Sequence, residues 1–190
     1  MLKRLQEKSW RATGGRFVIV ASRYNARYVN SMLCAAEAEL RRGGAARVQV
    51  VRVPGAFEIP VVVARLARQP EPGWDAIVCL GVILRGQTLH ADFIGRGVTE
   101  ALVRLQVETG VPMIHEVLLL ENHEQARARC LSPEHNRGRE AAQTALAMRR
   151  VLARLQPGGR AERTPARPVK SVKPPKSLGR RKQRTGGNYA

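Results

Sequence analysis

The segment Arg85-Gly86-Gln87-Thr88-Leu89-His90 closes an apolar run and opens an amphipathic one. Backbone N–H groups at a helix N-terminus form a cradle for anions, and a glycine in it lets the anion approach closely. Thr88 is placed either to cap that helix or to donate to a phosphate, and Arg85 would bring a fixed charge. His90 is the histidine next to this cradle. An imidazole titrates near neutral pH and can carry protons for carbonyl chemistry. Spacing alone leaves open a plain N-cap at Thr88 followed by a surface histidine. A second group, Val53-Pro54-Gly55-Ala56-Phe57-Glu58, ends another apolar run. Pro54-Gly55 sets a turn, Phe57 is either core or the wall of a pocket, and Glu58 sits where a helix dipole favours a carboxylate. A third, Ser22-Arg23-Tyr24-Asn25, offers a tyrosine that can stack on a planar ring and an asparagine that can bond its edge. A helix N-cap at Asn25 explains that asparagine equally well.

Basic groups lie further on, in Glu124-Gln125-Ala126-Arg127-Ala128-Arg129 and in Asn136-Arg137-Gly138. Arg127 and Arg129 stand about 200° apart on a helix, so only one of them can turn to a given ligand. A guanidinium suits a phosphate bidentately. The chain has no C-x-x-C, H-E-x-x-H, G-x-G-x-x-G or G-K-S/T motif. We therefore expect neither a metal nor a nucleotide cofactor.

These residues need elements to hold them. Phe17-Val18-Ile19-Val20-Ala21-Ser22 reads as a buried parallel strand, followed by a helix over 26–42 that stops at Gly43-Gly44. Further strands are expected over 48–53, 75–83 and 112–119. Helices are expected over 57–68, 91–108, 123–130 and 137–155. Strands alternating with helices of this length predict a doubly wound, flavodoxin-like three-layer α/β/α sandwich with a four-stranded, mainly parallel sheet. Such sheets bind ligands outside the carboxyl ends of their strands. The rule selects the loops 22–25, 54–58, 83–90 and 119–123.

The formal charge of +18 suggests a nucleic-acid binder until it is located. Residues 157–190 hold ten Lys/Arg against one Glu, and residues 1–16 hold five against one; residues 17–156 hold 18 against 13. The excess is in the ends. Residues 157–190 are rich in Pro, Gly, Lys and Arg and poor in apolar residues, which predicts a disordered basic C-terminal tail. The expected organisation is an N-terminal arm over 1–15, one domain over 16–156 and the tail over 157–190. No apolar run reaches membrane-spanning length, and residues 1–15 do not resemble a secretory signal. Cys34, Cys79 and Cys130 match no metal or disulfide spacing and read as small buried residues of a cytoplasmic protein.

Taken in order, the blocks Ser22–Asn25, Val53–Pro60, Leu80–His90 and Glu124–Arg129 with Asn136-Arg137-Gly138 resemble the lumazine synthase family over about residues 16–155. The Pro54–Pro60 block and the Arg85–His90 block are each specific. The resemblance implies riboflavin biosynthesis without a cofactor. In that reaction 5-amino-6-(D-ribitylamino)uracil and 3,4-dihydroxy-2-butanone 4-phosphate condense to 6,7-dimethyl-8-ribityllumazine, releasing phosphate and water. It implies that Tyr24 stacks on the pyrimidine beside Asn25, and that Ala56, Phe57 and Glu58 hold the ribityl chain. It also implies that Val82 and Ile83 line the ring pocket, Gly86, Gln87 and Thr88 cradle the phosphate, and His90 transfers protons. Arg129 matches the family's phosphate-binding arginine, and Arg137 stands where a lysine is usual.

The family's pockets lie between adjacent subunits of a pentamer, so the last residues are expected from a neighbour. Pentamers and shells of 60 subunits both occur. The 130–136 loop lacks the Gly-x-Lys pattern of the shell-formers, which favours a pentamer. His115-Glu116 replaces an aromatic-Gly pair, leaving an imidazole to stack on the ring. Leu119 stands for a Thr, and Ala91 for a common aromatic. Riboflavin synthase and an anionic partner for the tail are candidate partners; no membrane partner is expected. Two other readings are a non-catalytic flavin or lumazine binder and a nucleic-acid binder. Retention of His90, Arg129 and the Gly86–Thr88 cradle weighs against the first. A tail with Tyr189 as its one stacking group weighs against the second.

Overall fold

The computed structural model describes residues 14–70 and 73–155. The expected arm falls almost wholly outside these residues, and the tail does so entirely. Four parallel strands form one sheet in the order β2-β1-β3-β4. They are β1 (Arg16–Ser22), β2 (Arg47–Val53), β3 (Ala76–Leu84) and β4 (Met113–Leu120). The helices among the described residues are α1 (Ala26–Arg42), α2 (Ile59–Ala67), α3 (His90–Thr109), the short α4 (His123–Ala126) and α5 (Arg137–Leu155). The expected three-layer sandwich is thus present, with a sheet that is parallel throughout. None of these helices is long and apolar enough to cross a membrane.

Residue parity along the strands decides everything that follows. Phe17, Ile19 and Ala21 of β1, with Ala76, Val78, Leu80 and Val82 of β3, pack under α1 and α5. The alternate residues Val18 and Val20, with Ile77, Cys79 and Ile83, pack under α2 and α3. Both central strands are buried on both faces, which is why they read as continuous apolar runs rather than alternating ones. The β1–β2 register pairs Ser22 with Val53, and the β3–β4 register pairs Ile83 with Leu119. The loops selected as ligand-binding therefore emerge at one end of the sheet.

The helix expected over 123–130 differs in kind. It begins at Asn122, whose side chain caps Gln125 N–H at 3.0 Å, and after Ala126 it widens into a π turn over Arg127–Leu131. Ser31 Oγ and Asn136 Nδ2 both donate to the Cys130 carbonyl, at 2.7 and 2.6 Å. Asn136 Oδ1 accepts from Gly138 N at 2.9 Å. One buried asparagine thereby fixes the carboxyl end of the π turn to the start of α5. Cys34 is exposed on α1, not buried as its type suggested, whereas Cys79 and Cys130 are buried.

Gly138 is where α5 crosses α1. A Cβ there would overlap the backbone carbonyl of Met32, which cannot swing aside as a side chain would. Gly138→Ala is expected to cost about 3 kcal/mol, the upper range for overpacking, and to lower Tm by roughly 10 °C in a thermal melt. A Cβ on Gly86 meets open space and φ there is not positive. Gly86→Ala is therefore expected to leave Tm within about 2 °C of wild type, as an unconstrained surface substitution does.

Candidate active site

A cleft of about 610 Å³ opens at the carboxyl ends of β1, β2 and β3. Its walls bring together eight of the residues singled out from the sequence: Tyr24, Asn25, Ala56, Phe57, Glu58, Val82, Ile83 and His90. Each is held by a local reason. Asn25 occupies the N-cap position of α1 in the left-handed region (φ 53°) and makes no side-chain cap. Its Nδ2 instead donates to the Val82 carbonyl at 2.8 Å, tying the first loop to the end of β3. Between the two sequence readings of Asn25 as ligand and cap, the structure adds a third role, a strut beneath the cleft.

Arg23 and Tyr24 N–H groups donate to the Pro54 carbonyl at 3.1 and 3.2 Å, so the loops after β1 and β2 are also joined. Tyr24 and Phe57 stay 73% and 64% exposed although both are large and apolar, which leaves two ring faces free at the rim. Glu58 Oε2 accepts from Gly55 N at 2.8 Å and closes the turn that presents Ala56 and Phe57. One of its carboxylate oxygens therefore serves the fold.

Gly86, Gln87 and Thr88 form an exposed turn next to the cleft rather than part of its wall. Thr88 Oγ1 accepts from His90 N at 3.4 Å, and Leu89, not Thr88, takes the N-cap position of α3. Gly86 is demanded neither by φ nor by packing. Arg85 does not bring free charge to this turn. Its guanidinium forms a bidentate pair with Asp92 at 2.8 Å and reaches Glu121 at 3.0 Å.

His115, Arg129 and Arg137 do not line the cleft. The parity of β4 sends His115 towards α3, where its Nε2 lies 2.9 Å from Thr99 Oγ1. That hydroxyl spends its proton on the Gly95 carbonyl at 2.7 Å, so the His115 Nε2 is the donor to it. Burial lowers the His115 pKa, which agrees with a neutral ring. Glu116, one residue on, faces the other way. It shares the α5 side with Arg129, Cys130, Arg137 and Glu140, and burial lifts its carboxyl to about 7 against the opposing pull of the two arginines. Arg137 Nη1 pairs with Glu140 at 2.6 Å. Arg129 is exposed and makes no ion pair among the described residues.

Sequence reasoning missed Leu84, Phe93 and Ile94 in the cleft wall. The available signal was spacing: Phe93 follows His90 by three residues on one helix, hence on the same face. It also left Glu116 without a position relative to the arginines, which only the strand parity and the return of α5 supply.

The model of the 6,7-dimethyl-8-ribityllumazine synthase family matches residues 14–153. The chain is 41% identical over 142 residues to the 6,7-dimethyl-8-ribityllumazine synthase of Stenotrophomonas maltophilia, a match covering 74% of this chain and 90% of that one. It is 42% identical over 136 residues to the protein of that name from Kineococcus radiotolerans, covering 70% and 83%. To the one from Salinibacter ruber it is 37% identical over 145 residues, covering 75% and 92%.

The Glu116 carboxyl generates a stability prediction. Its folded-state pKa of about 7 lies above the ordinary 4.5, so folding favours the protonated acid. That contribution is complete below pH 4.5 and is lost as pH rises through 7. Glu116→Gln is expected to melt with wild type at pH 4.5 and above it at pH 8, by roughly 5–10 °C, in parallel thermal scans.

Proposed function

The chain belongs to the 6,7-dimethyl-8-ribityllumazine synthase family, and from that premise we propose that it condenses 5-amino-6-(D-ribitylamino)uracil with 3,4-dihydroxy-2-butanone 4-phosphate. The products are 6,7-dimethyl-8-ribityllumazine, phosphate and water, which makes the protein a transferase of riboflavin biosynthesis. The observation that carries the proposal is the cleft, in which His90 stands on one wall with exposed aromatics and an open glycine turn beside it.

The chemistry follows from the groups present. The uracil amine attacks the carbonyl of the sugar phosphate, and loss of water gives an imine. A proton must leave the attacking nitrogen and another must reach the departing oxygen. His90 does both in turn. Elimination then expels phosphate, and attack of the ribitylamino nitrogen on the remaining carbonyl closes the ring with loss of water. The uracil lies against Tyr24 beside Asn25, with Val82 and Ile83 along its edge. The ribityl chain runs past Ala56, Phe57 and Glu58. The phosphate sits on the N–H groups of Gly86, Gln87 and Thr88. The fold does not need a glycine at 86, and this supports a purpose in anion approach. Most of the rate then comes from holding two substrates in reacting geometry.

Fixed positive charge for the phosphate comes from Arg129 and Arg137, with His115 stacking on the ring. Since these three lie away from the cleft of their own chain, we assign them to the cleft of an adjacent subunit in a homopentamer. Val61, Phe93, Val103 and Val107 stay 51–78% exposed on α2 and α3, an apolar face that such a neighbour would cover. The pentamer, rather than a 60-subunit shell, is the assembly we favour, in the cytoplasm. The basic residues of 157–190 serve as an accessory that holds an anionic partner. Association with riboflavin synthase is a further expectation of this role.

The test is direct. Purified protein is mixed with both substrates, and lumazine absorbance and phosphate release are followed. Stoichiometric products are expected; background rates with ligand binding retained would leave a binding protein. Arg129→Ala is expected to raise KM for the butanone phosphate about 100-fold, the loss of a charge-assisted bidentate contact. His90→Ala is expected to lower kcat only about tenfold, below the usual range for general acid–base catalysis because positioning dominates. Gly86→Ala is expected to raise the same KM with little change in Tm. When the Arg129→Ala and His90→Ala proteins are unfolded and reassembled together in equal amounts, about a quarter of the sites regain both groups if they come from different subunits. A site built within one chain would regain none.

A further inference from the structure

Glu116 has no role in the reaction just described, yet it is the carboxylate that shares the α5 side of β4 with both arginines assigned to the phosphate. Strand parity turns it away from His115 and towards α5. The charged and titratable groups facing it are Arg129 and Cys130 from the π turn and Arg137 and Glu140 from the start of α5. Its neighbour across β3 is Leu80, which brings no charge. Arg137 is already bound to Glu140 at 2.6 Å, whereas Arg129 has no ion-pair partner among the described residues. Two arginines thus face two carboxylates before any ligand arrives, and a dianionic phosphate entering there meets an internal anion.

We infer that Glu116 competes with the substrate phosphate for Arg129 and Arg137, so that binding of a dianion at this pair takes up a proton on Glu116. The inference rests on the reading of Arg129 and Arg137 as anion-binding groups. The half-buried carboxyl is held near the middle of the physiological range because burial outweighs the pull of the arginines. A further negative charge beside it favours the protonated acid still more. In the neutral form the arginines are released to the phosphate; in the ionised form they are partly neutralised. Linkage is reciprocal, so phosphate binding raises the Glu116 pKa by the same factor that ionised Glu116 weakens phosphate binding. Product release is coupled in the opposite sense: when phosphate leaves, Glu116 gives up its proton. This device is specific to a chain carrying a carboxylate at 116.

Sulfate is the probe, because it stays a dianion across the pH range while phosphate itself titrates. The full-length wild-type protein is titrated with sulfate by calorimetry at pH 6, 7 and 8, each in two buffers of different ionisation enthalpy. The expected result is net proton uptake on binding above pH 7 and an affinity that falls roughly tenfold from pH 6 to pH 8, a coupling of ordinary allosteric size. Histidines also lose charge over this interval, so the comparison with Glu116→Gln is decisive. That variant should bind more tightly at pH 8, with a flatter pH dependence and less proton uptake, and Glu116→Asp should restore both. Equal slopes and equal proton uptake in wild type and Glu116→Gln would overturn the inference. So would an absence of proton uptake in the wild type, whatever the variant does. If Arg129→Ala binds sulfate as tightly as wild type, the assignment of the arginines fails, and the inference falls with it. If Arg129→Ala binds weakly while Glu116→Gln keeps the wild-type slope, only the inference fails.

Discussion

The parallel sheet is covered on both faces, and that single requirement arranges the rest of the molecule. β1 and β3 have no solvent side: every residue from Phe17 to Ser22 and from Ala76 to Ile83 is buried. Polar chemistry therefore has no place along the central strands and is pushed to their ends. At the carboxyl end the chain turns into loops, and there the cleft forms. The same requirement makes residue parity a sorting rule. Odd residues of β4 go to the α3 side and even residues to the α5 side, so His115 and Glu116, adjacent in sequence, belong to different environments. Phe93, Val103 and Val107 stay exposed on the α3 layer.

Rigid placement comes from a few polar struts that a hydrophobic pattern does not reveal. Asn25 in the left-handed region spends its amide on the Val82 carbonyl. Pro54 accepts from the loop after β1, and Glu58 closes its own turn. On the other face, Asn136 and Ser31 converge on the Cys130 carbonyl, a group that the π turn leaves without an ordinary helical partner. These bonds hold loops that lack packed cores of their own. Asn25 is the one described non-glycine residue in the left-handed region, and the Asn136 amide donates and accepts at once.

Most of the architecture was readable because its signals are strong. Apolar runs bounded by Gly and Pro, and helices with apolar stripes, mark the four strands and the four long helices to within two residues. The cleft was readable by a different route, from loops at strand ends and from a resemblance carried by blocks such as Pro54–Pro60. What escaped is instructive. The helix over 123–130 became half α and half π, and no residue pattern announces that widened turn. Arg85 looked like a ligand for an anion until Asp92, in the first turn of α3, and Glu121, just past the end of β4, took both edges of its guanidinium. Cys34 looked buried by type, but its place on α1 is set by the helix face and not by its chemistry. For Arg85 the missing information was a pair of carboxylate partners; for Cys34 it was the face of the helix.

The distribution of charge around the open turn and on the α5 side of β4 follows a common logic. Arg85 beside the open turn is held by Asp92 and Glu121, and Arg137 on the other face is held by Glu140. Such pairs sit at the surface and add little to stability. Their effect is to keep guanidinium groups in fixed places and to lower the net field that a small anion feels before it docks. In the proposed function the anion at the open turn is met mainly by backbone N–H groups, which need no counter-charge of their own and do not have to be desolvated as ions. At the arginines the counter-charge is internal, and one of its two members, Glu116, can be removed by a proton. On the proposed assignment, a fixed cation held against a removable anion binds a transient dianion without holding it permanently, as the proposed release of phosphate requires.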